Sequence, residues 1–166
     1  MERIIKYILL HFRIVSYLAF HAYSQMWLLP YAYKDEPSPY QEDLMNVAEA
    51  ATVALKSIHN TKYQIGPAGK LVYPVHGSST DWAHEKMGIK YSYVIELRPV
   101  LDSTQGYSDF VLPVPEIKPT LEETWAGLEG MTKAIAAKSS AAPCQRSFLS
   151  FIINKIIHTL KIIMPK

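Results

Sequence analysis

The chain has 166 residues, 49% of them hydrophobic and 19% charged, and a formal net charge of +2. Those values fit a globular chain with a core and exclude a disordered one, while so small a charge gives no electrostatic case for a nucleic-acid partner. Cys144 is the single cysteine, which excludes an internal disulfide.

Residues 1–20 carry Ile4, Ile5, Ile8, Leu9, Leu10, Ile14, Val15 and Leu18 behind a short charged start. His11 and Arg13 interrupt the run and no small-residue cleavage site follows, so it makes a weak targeting signal. It is also too broken to span a membrane. Residues 14–20 are β-branched and aromatic, which predicts a buried strand running into His21. Ser38, Pro39 and Gln41 suit a capped helix start. Leu44, Val47, Ala48, Ala51, Leu55 and Ile58 then recur at helical spacing and predict a helix over 39–58. Gly66, Pro67 and Gly69 predict a turn, residues 71–75 a short extended stretch, and Gly77–Ser79 a loop before a short helix over 80–86. His76 and His84 are expected at the surface.

Residues 90–97 predict a second strand, with Glu96 among Val94, Ile95 and Leu97. A carboxylate in such apolar company needs a partner, a metal nearby or a raised pKa. Residues 99–109 read as a polar loop and Phe110–Leu112 as a short apolar piece. Pro119, Thr120 and Glu123 predict another capped helix over 119–137, burying Leu121, Trp125, Leu128, Met131 and Ile135. Gly127 and Gly130 weaken that helix, so packing must support it. Residues 138–145 read as a linker. The isoleucine-rich stretch 147–163, with Lys155, His158 and Lys161, reads as a basic amphipathic helix. Such a helix either touches a membrane surface or, more often, packs on a core.

Several segments, taken together and in order, resemble the zinc carboxypeptidases of the carboxypeptidase A type. They are His21-Ala22-Tyr23-Ser24-Gln25 with Pro30-Tyr31, then Tyr73 through Gly77-Ser78-Ser79-Thr80-Asp81-Trp82. Gly88-Ile89-Lys90-Tyr91-Ser92 with Glu96-Leu97-Arg98 follows, and then Phe110–Pro113 with Pro119-Thr120 and Glu123-Thr124-Trp125. The resemblance covers about residues 13–138. It leaves 1–12 as an unassigned apolar extension and 139–166 as a linker and isoleucine-rich basic helix.

The resemblance implies an α/β fold, the C-terminal part of a mixed-sheet domain with helices packed on the sheet. It implies zinc as cofactor, peptide or protein C-termini as substrates, and a secreted or extracellular setting. By position it makes His21 a zinc ligand, Glu96 the catalytic acid and base, and Tyr73 the tyrosine that covers the substrate. Tyr23 falls at a subsite beside the scissile bond, and Val75 and Thr80 at the side-chain pocket. Phe110–Pro113 corresponds to a closing strand.

Two departures qualify these expectations. No histidine here is followed three residues later by glutamate, the motif that carries the other two ligands, and no Asn-Arg pair occurs to grip a terminal carboxylate. One ligand of three is therefore expected, and the 166 residues alone are expected to be inactive. A non-catalytic binding or regulatory fragment, or an incomplete gene product, is the alternative reading.

Overall fold

The computed structural model describes residues 14–100 and 110–140. Four strands form one mixed sheet: β1 (Ser16–Ser24), β2 (Met26–Leu29), β3 (Gln64–Pro67) and β4 (Tyr91–Val100), in the order β1-β4-β2-β3. β1 runs parallel to β4 and β2 parallel to β3, while β2 and β4 are antiparallel. The two strands expected from sequence are therefore neighbours. β1 is not the fully buried strand expected, for Phe20 and His21 are exposed. Among the described residues β1 pairs with β4 alone, which makes it an edge strand.

Two long helices, α1 (Gln41–His59) and α4 (Val114–Ser140), pack on each other, and between them and the sheet lies the core. Strand alternation aims Tyr91, Tyr93 and Ile95 at α1, where they meet Leu44, Val47, Ala48 and Ala51 together with Trp27 and Leu29 of β2. Met131 and Ile135 of α4 close the cluster.

Several expectations shift. Ser38 does not cap α1, whose cap position is Tyr40. Its Oγ instead accepts the Tyr40 N–H at 3.1 Å. Ile58 is exposed. Residues 71–75 do not form the expected extended stretch: Ala68–Leu71 are the one-turn α2, the Val72 N–H closes that turn on the Ala68 carbonyl at 3.0 Å, and beyond it the Val75 N–H donates to the Ala32 carbonyl at 2.9 Å. The helix expected over 80–86 is present as a single α-turn, α3 (Ser79–Asp81), continued by π-helical Trp82–Lys86.

Phe110–Pro113 is a turn and irregular chain, not a strand. α4 starts five residues before the expected position, runs through Pro119, and continues into the expected linker. Its buried side is Thr120, Glu123, Thr124, Gly127, Met131 and Ile135, whereas Leu121 and Trp125 look outward. The segments 1–13 and 147–163 lie outside the described residues.

Asp43, in the first turn of α1, ties three elements together. It pairs with Lys90 just before β4 and with Lys138 near the end of α4, and it accepts the Tyr91 hydroxyl at 3.0 Å. Burial pushes its pKa up, yet the bonds from Lys138, Lys90 and Tyr91 prevail and hold it at about 2.

Candidate active site

His21 and Glu96 are register partners across β1 and β4. Adjacent strands lie about 4.8 Å apart and their side chains alternate between faces. With Ile95 and Leu97 turned toward the helices, Glu96 must face the other way, and His21 stands beside it. On the far flank Met26 is the antiparallel partner of Glu96. Glu96 is half-buried and His21 exposed. Burial raises the Glu96 pKa, and the neighbouring His21 charge acts to lower it.

Tyr23 is half-buried near the end of β1, with its ring edge-on to Phe110 at 5.3 Å between centroids. Tyr73 and Val75 are exposed on the loop after α2, which the Val75–Ala32 bond fastens to the segment following β2. Thr80 sits in α3, which packs against β1 and β4. It is 2% exposed, and its hydroxyl has no hydrogen-bond partner among the described residues. The next residue, Asp81, is fully engaged: its carboxylate accepts the Ala32 N–H at 3.0 Å and the Tyr33 N–H at 3.2 Å. Burial raises the Asp81 pKa, and those two N–H bonds work against the rise.

Two polar groups take places other than those expected from sequence. His84 is buried, not at the surface: its Nδ1 lies 3.0 Å from the Lys90 carbonyl and its Nε2 lies 2.8 Å from the Ser38 hydroxyl. In a neutral ring Nδ1 then donates to the carbonyl and Nε2 accepts from Ser38. This clamp fixes the chain before α1 against the start of β4.

Glu123 caps nothing. It is wholly buried and takes a two-pronged bond from Arg98, Nε to Oε1 at 2.8 Å and Nη2 to Oε2 at 2.5 Å. Thr61 and Glu116 complete the ring around the guanidinium. The bond to Glu123, reinforced by Glu116 against the cost of burial, raises the Arg98 pKa. The available signal was an arginine two residues after Glu96, in a strand whose burial demands a carboxylate partner.

Among the described residues no group of three histidine, cysteine, aspartate or glutamate side chains could hold a metal ion. A catalytic zinc takes three protein ligands. The described residues do not by themselves fit one.

A zinc carboxypeptidase family model matches residues 1–127. The chain belongs to the zinc carboxypeptidase family. It is 41% identical over 128 residues to carboxypeptidase A4 of Mus musculus and 39% identical over 127 residues to carboxypeptidase A1 of Homo sapiens. Those alignments take in 77% and 76% of this chain but only 29% of each relative, so the chain spans under a third of their length. Among solved structures, bovine thrombin-activatable fibrinolysis inhibitor in complex with tick carboxypeptidase inhibitor matches with a TM-score of 0.72 at 30% identity. That match covers 82% of this chain and 45% of the other. The carboxypeptidase A of Helicoverpa armigera matches with a TM-score of 0.65 at 25% identity, over 75% of this chain and 31% of the other. The mixed sheet with its packed helices is the fold that these relatives share.

Proposed function

We propose that these residues are the C-terminal part of a secreted zinc-dependent carboxypeptidase that releases C-terminal amino acids from peptides. The observation that carries the reading is the register pairing of His21 with Glu96 in a chain of this family. In that reading His21 is one zinc ligand, and the remaining ligands and the groups that grip the terminal carboxylate come from outside this sequence. Glu96 is the proton-transfer group. Half-burial disfavours its charged form, which suits a carboxylate that must accept a proton and give it back. Tyr73 and Tyr23 contact the substrate, the first from its exposed loop and the second from the end of β1.

Val75 and Thr80 belong to the side-chain pocket, for which we assign apolar or small residues. Thr80 carries no charge. The adjacent Asp81 is committed to the Ala32 and Tyr33 amides and cannot turn to a basic side chain without orphaning two N–H groups. An ammonium buried there would go unpaired, at a cost of several kcal/mol.

The 166 residues alone do not hydrolyse peptides in this reading, because a single histidine does not retain a catalytic zinc and nothing positions the substrate. The test compares residues 1–166 with a chain completed by the N-terminal part of a relative, both given zinc. The completed chain should release C-terminal phenylalanine faster than lysine and lose that activity with Glu96→Gln. Zinc-dependent turnover by residues 1–166, abolished by the same substitution, would show that this chain builds its own site. Faster release of lysine would overturn the pocket assignment.

A further inference from the structure

β1 and β2 lie on opposite sides of β4, and Gln25 is the one residue between them. Ala22 pairs with Leu97 on one flank, while on the other the Gln25 N–H donates to the Leu97 carbonyl at 3.2 Å. One place earlier along β4, His21 and Met26 stand on the two flanks of Glu96. The chain therefore crosses β4 between Ala22 and Gln25. Two strand spacings, about 9.6 Å, separate the flanks, and three residue steps reach at most about 11 Å. The crossing is nearly taut. Its cost shows in the backbone: Ser24 and Gln25 have φ of 144° and 56°, values that favour glycine. Backbone of this kind persists only where surrounding contacts hold it, and it collects at functional sites.

Gln25 is held on several sides. Besides the Leu97 bond, its carbonyl accepts the Gln64 N–H of β3 at 2.9 Å, and its side-chain Nε2 donates to the Lys62 carbonyl at 3.0 Å. Thr61, next to Lys62, accepts a bond from Arg98 at 2.6 Å, and Arg98 lies two residues beyond Glu96. These contacts close a ring from β4 through Gln25 and the segment before β3, and back to β4. Glycine would relax the backbone at this position but could not make the Lys62 bond. The side chain thus accounts for a residue that the backbone disfavours.

We propose that Gln25 is a positioning residue of the candidate active site, pinning the crossing so that His21 and Tyr23 stay beside Glu96. Its part in catalysis rests on the carboxypeptidase reading above, whereas its part in the geometry does not. Gln25 acts through β1. Tyr23 lies within the taut span, and its edge-on contact with the Phe110 ring at 5.3 Å registers where the span sits. Met26, on the flank held by β3, stays in place when the span shifts.

The first arm of the test uses residues 1–166 and reads two ring pairs by NMR. Gln25→Gly removes the Lys62 bond and leaves a residue at ease with a φ of 56°. Cross-peaks between Tyr23 and Phe110 should be lost, while those between Trp27 and Tyr93, 6.0 Å apart in the core, should remain. Gln25→Asn tolerates the same φ and is one methylene shorter, which withdraws its amide from Lys62. It should behave alike, and it serves if the glycine variant does not fold. The second arm places both substitutions in the zinc-loaded completed chain. There kcat per folded molecule should fall about tenfold with KM changed by less than about twofold, because misplacing reacting groups costs chemistry more than binding. An unchanged Tyr23–Phe110 contact in a folded variant, or an unchanged kcat in an active completed chain, would overturn the proposal. So would a loss of activity that only follows the folded fraction, which marks Gln25 as structural. A completed chain that keeps Gln25 and shows no zinc-dependent turnover brings down the carboxypeptidase reading instead, and the ring contacts then decide the positioning role.

Discussion

Glu123 survives complete burial because Arg98 meets both its oxygens, and each group is costly without the other. Arg98→Met should leave a buried carboxylate with the Thr61 hydroxyl but no counter-charge and lower stability by about 3–5 kcal/mol, read as a shift in the urea midpoint at unchanged slope. Adding Glu123→Leu should recover most of that loss. If the double variant is no more stable than the single, the pairing is not what makes the site tolerable.

Glu96 poses the opposite case, since its pKa is raised by burial and only partly countered by His21. A carboxyl whose folded pKa lies above its unfolded value is unpenalised while protonated and loses stability as pH rises through the folded value. Glu96→Gln should therefore raise the melting temperature at pH 7, and the advantage should vanish below the unfolded carboxyl range. A variant that is less stable at pH 7 would mean that the carboxylate makes bonds worth more than its desolvation. Glu96 was legible because it interrupts an apolar run. His84 was not, because nothing local announces that a histidine's two nitrogens will find a hydroxyl on one side and a carbonyl on the other.

The helices were legible in existence and type, less so in face and boundary. Periodicity marked Leu44, Val47, Ala48, Ala51 and Leu55 as the buried side of α1, and they are. In α4 it favoured Leu121 and Trp125, when the side turned inward instead carries Glu123 and Gly127. Periodicity was right for Met131 and Ile135, which join the core, and failed only in the first half of the helix, where Arg98 draws Glu123 inward. The glycines held the better clue. A Cβ on Gly130 would sit 2.7 Å from the Ala54 Cβ and 2.8 Å from the Ala50 carbonyl oxygen, whereas one on Gly127 would meet nothing nearer than 3.4 Å. Gly130→Ala should push α1 and α4 apart and lower stability by about 1–3 kcal/mol, outweighing the helix propensity gained. Gly127→Ala should be neutral or stabilising by up to about 1 kcal/mol. Equal effects at the two positions in thermal unfolding would dismiss close approach as the reason for glycine. β2 and β3 escaped the reading because four residues are too few to show alternation. Gly66 and Pro67 also looked like punctuation, although an edge strand tolerates proline.

At the scale of the whole molecule, the order of motifs along the chain carried the fold, and no single segment would have done so. Within that fold β1 and β4 are partners across 75 residues, the separation over which the Ser16 hydroxyl donates to the Tyr91 carbonyl. The motif order did not reveal that Asp43 would gather Lys90, Tyr91 and Lys138, because those contacts join parts of the sequence that only the folded sheet and helices bring together. Nor did it forecast that β1, with no aspartate, glutamate, lysine, arginine or proline among its nine, would have one side open among the described residues.

The long span between β1 and β4 also sets a schedule. A ribosome adds about 5–20 residues per second, so β1 is made about 4–15 s before the Tyr91 that opens its partner strand. α1 can form in that interval from local contacts alone, but β1 cannot complete its pairing until β4 arrives. During synthesis the nascent chain therefore carries an aromatic strand free of acidic residues, lysine and arginine with its partner not yet made, which is the kind of segment that chaperones bind and that neighbouring nascent chains can capture.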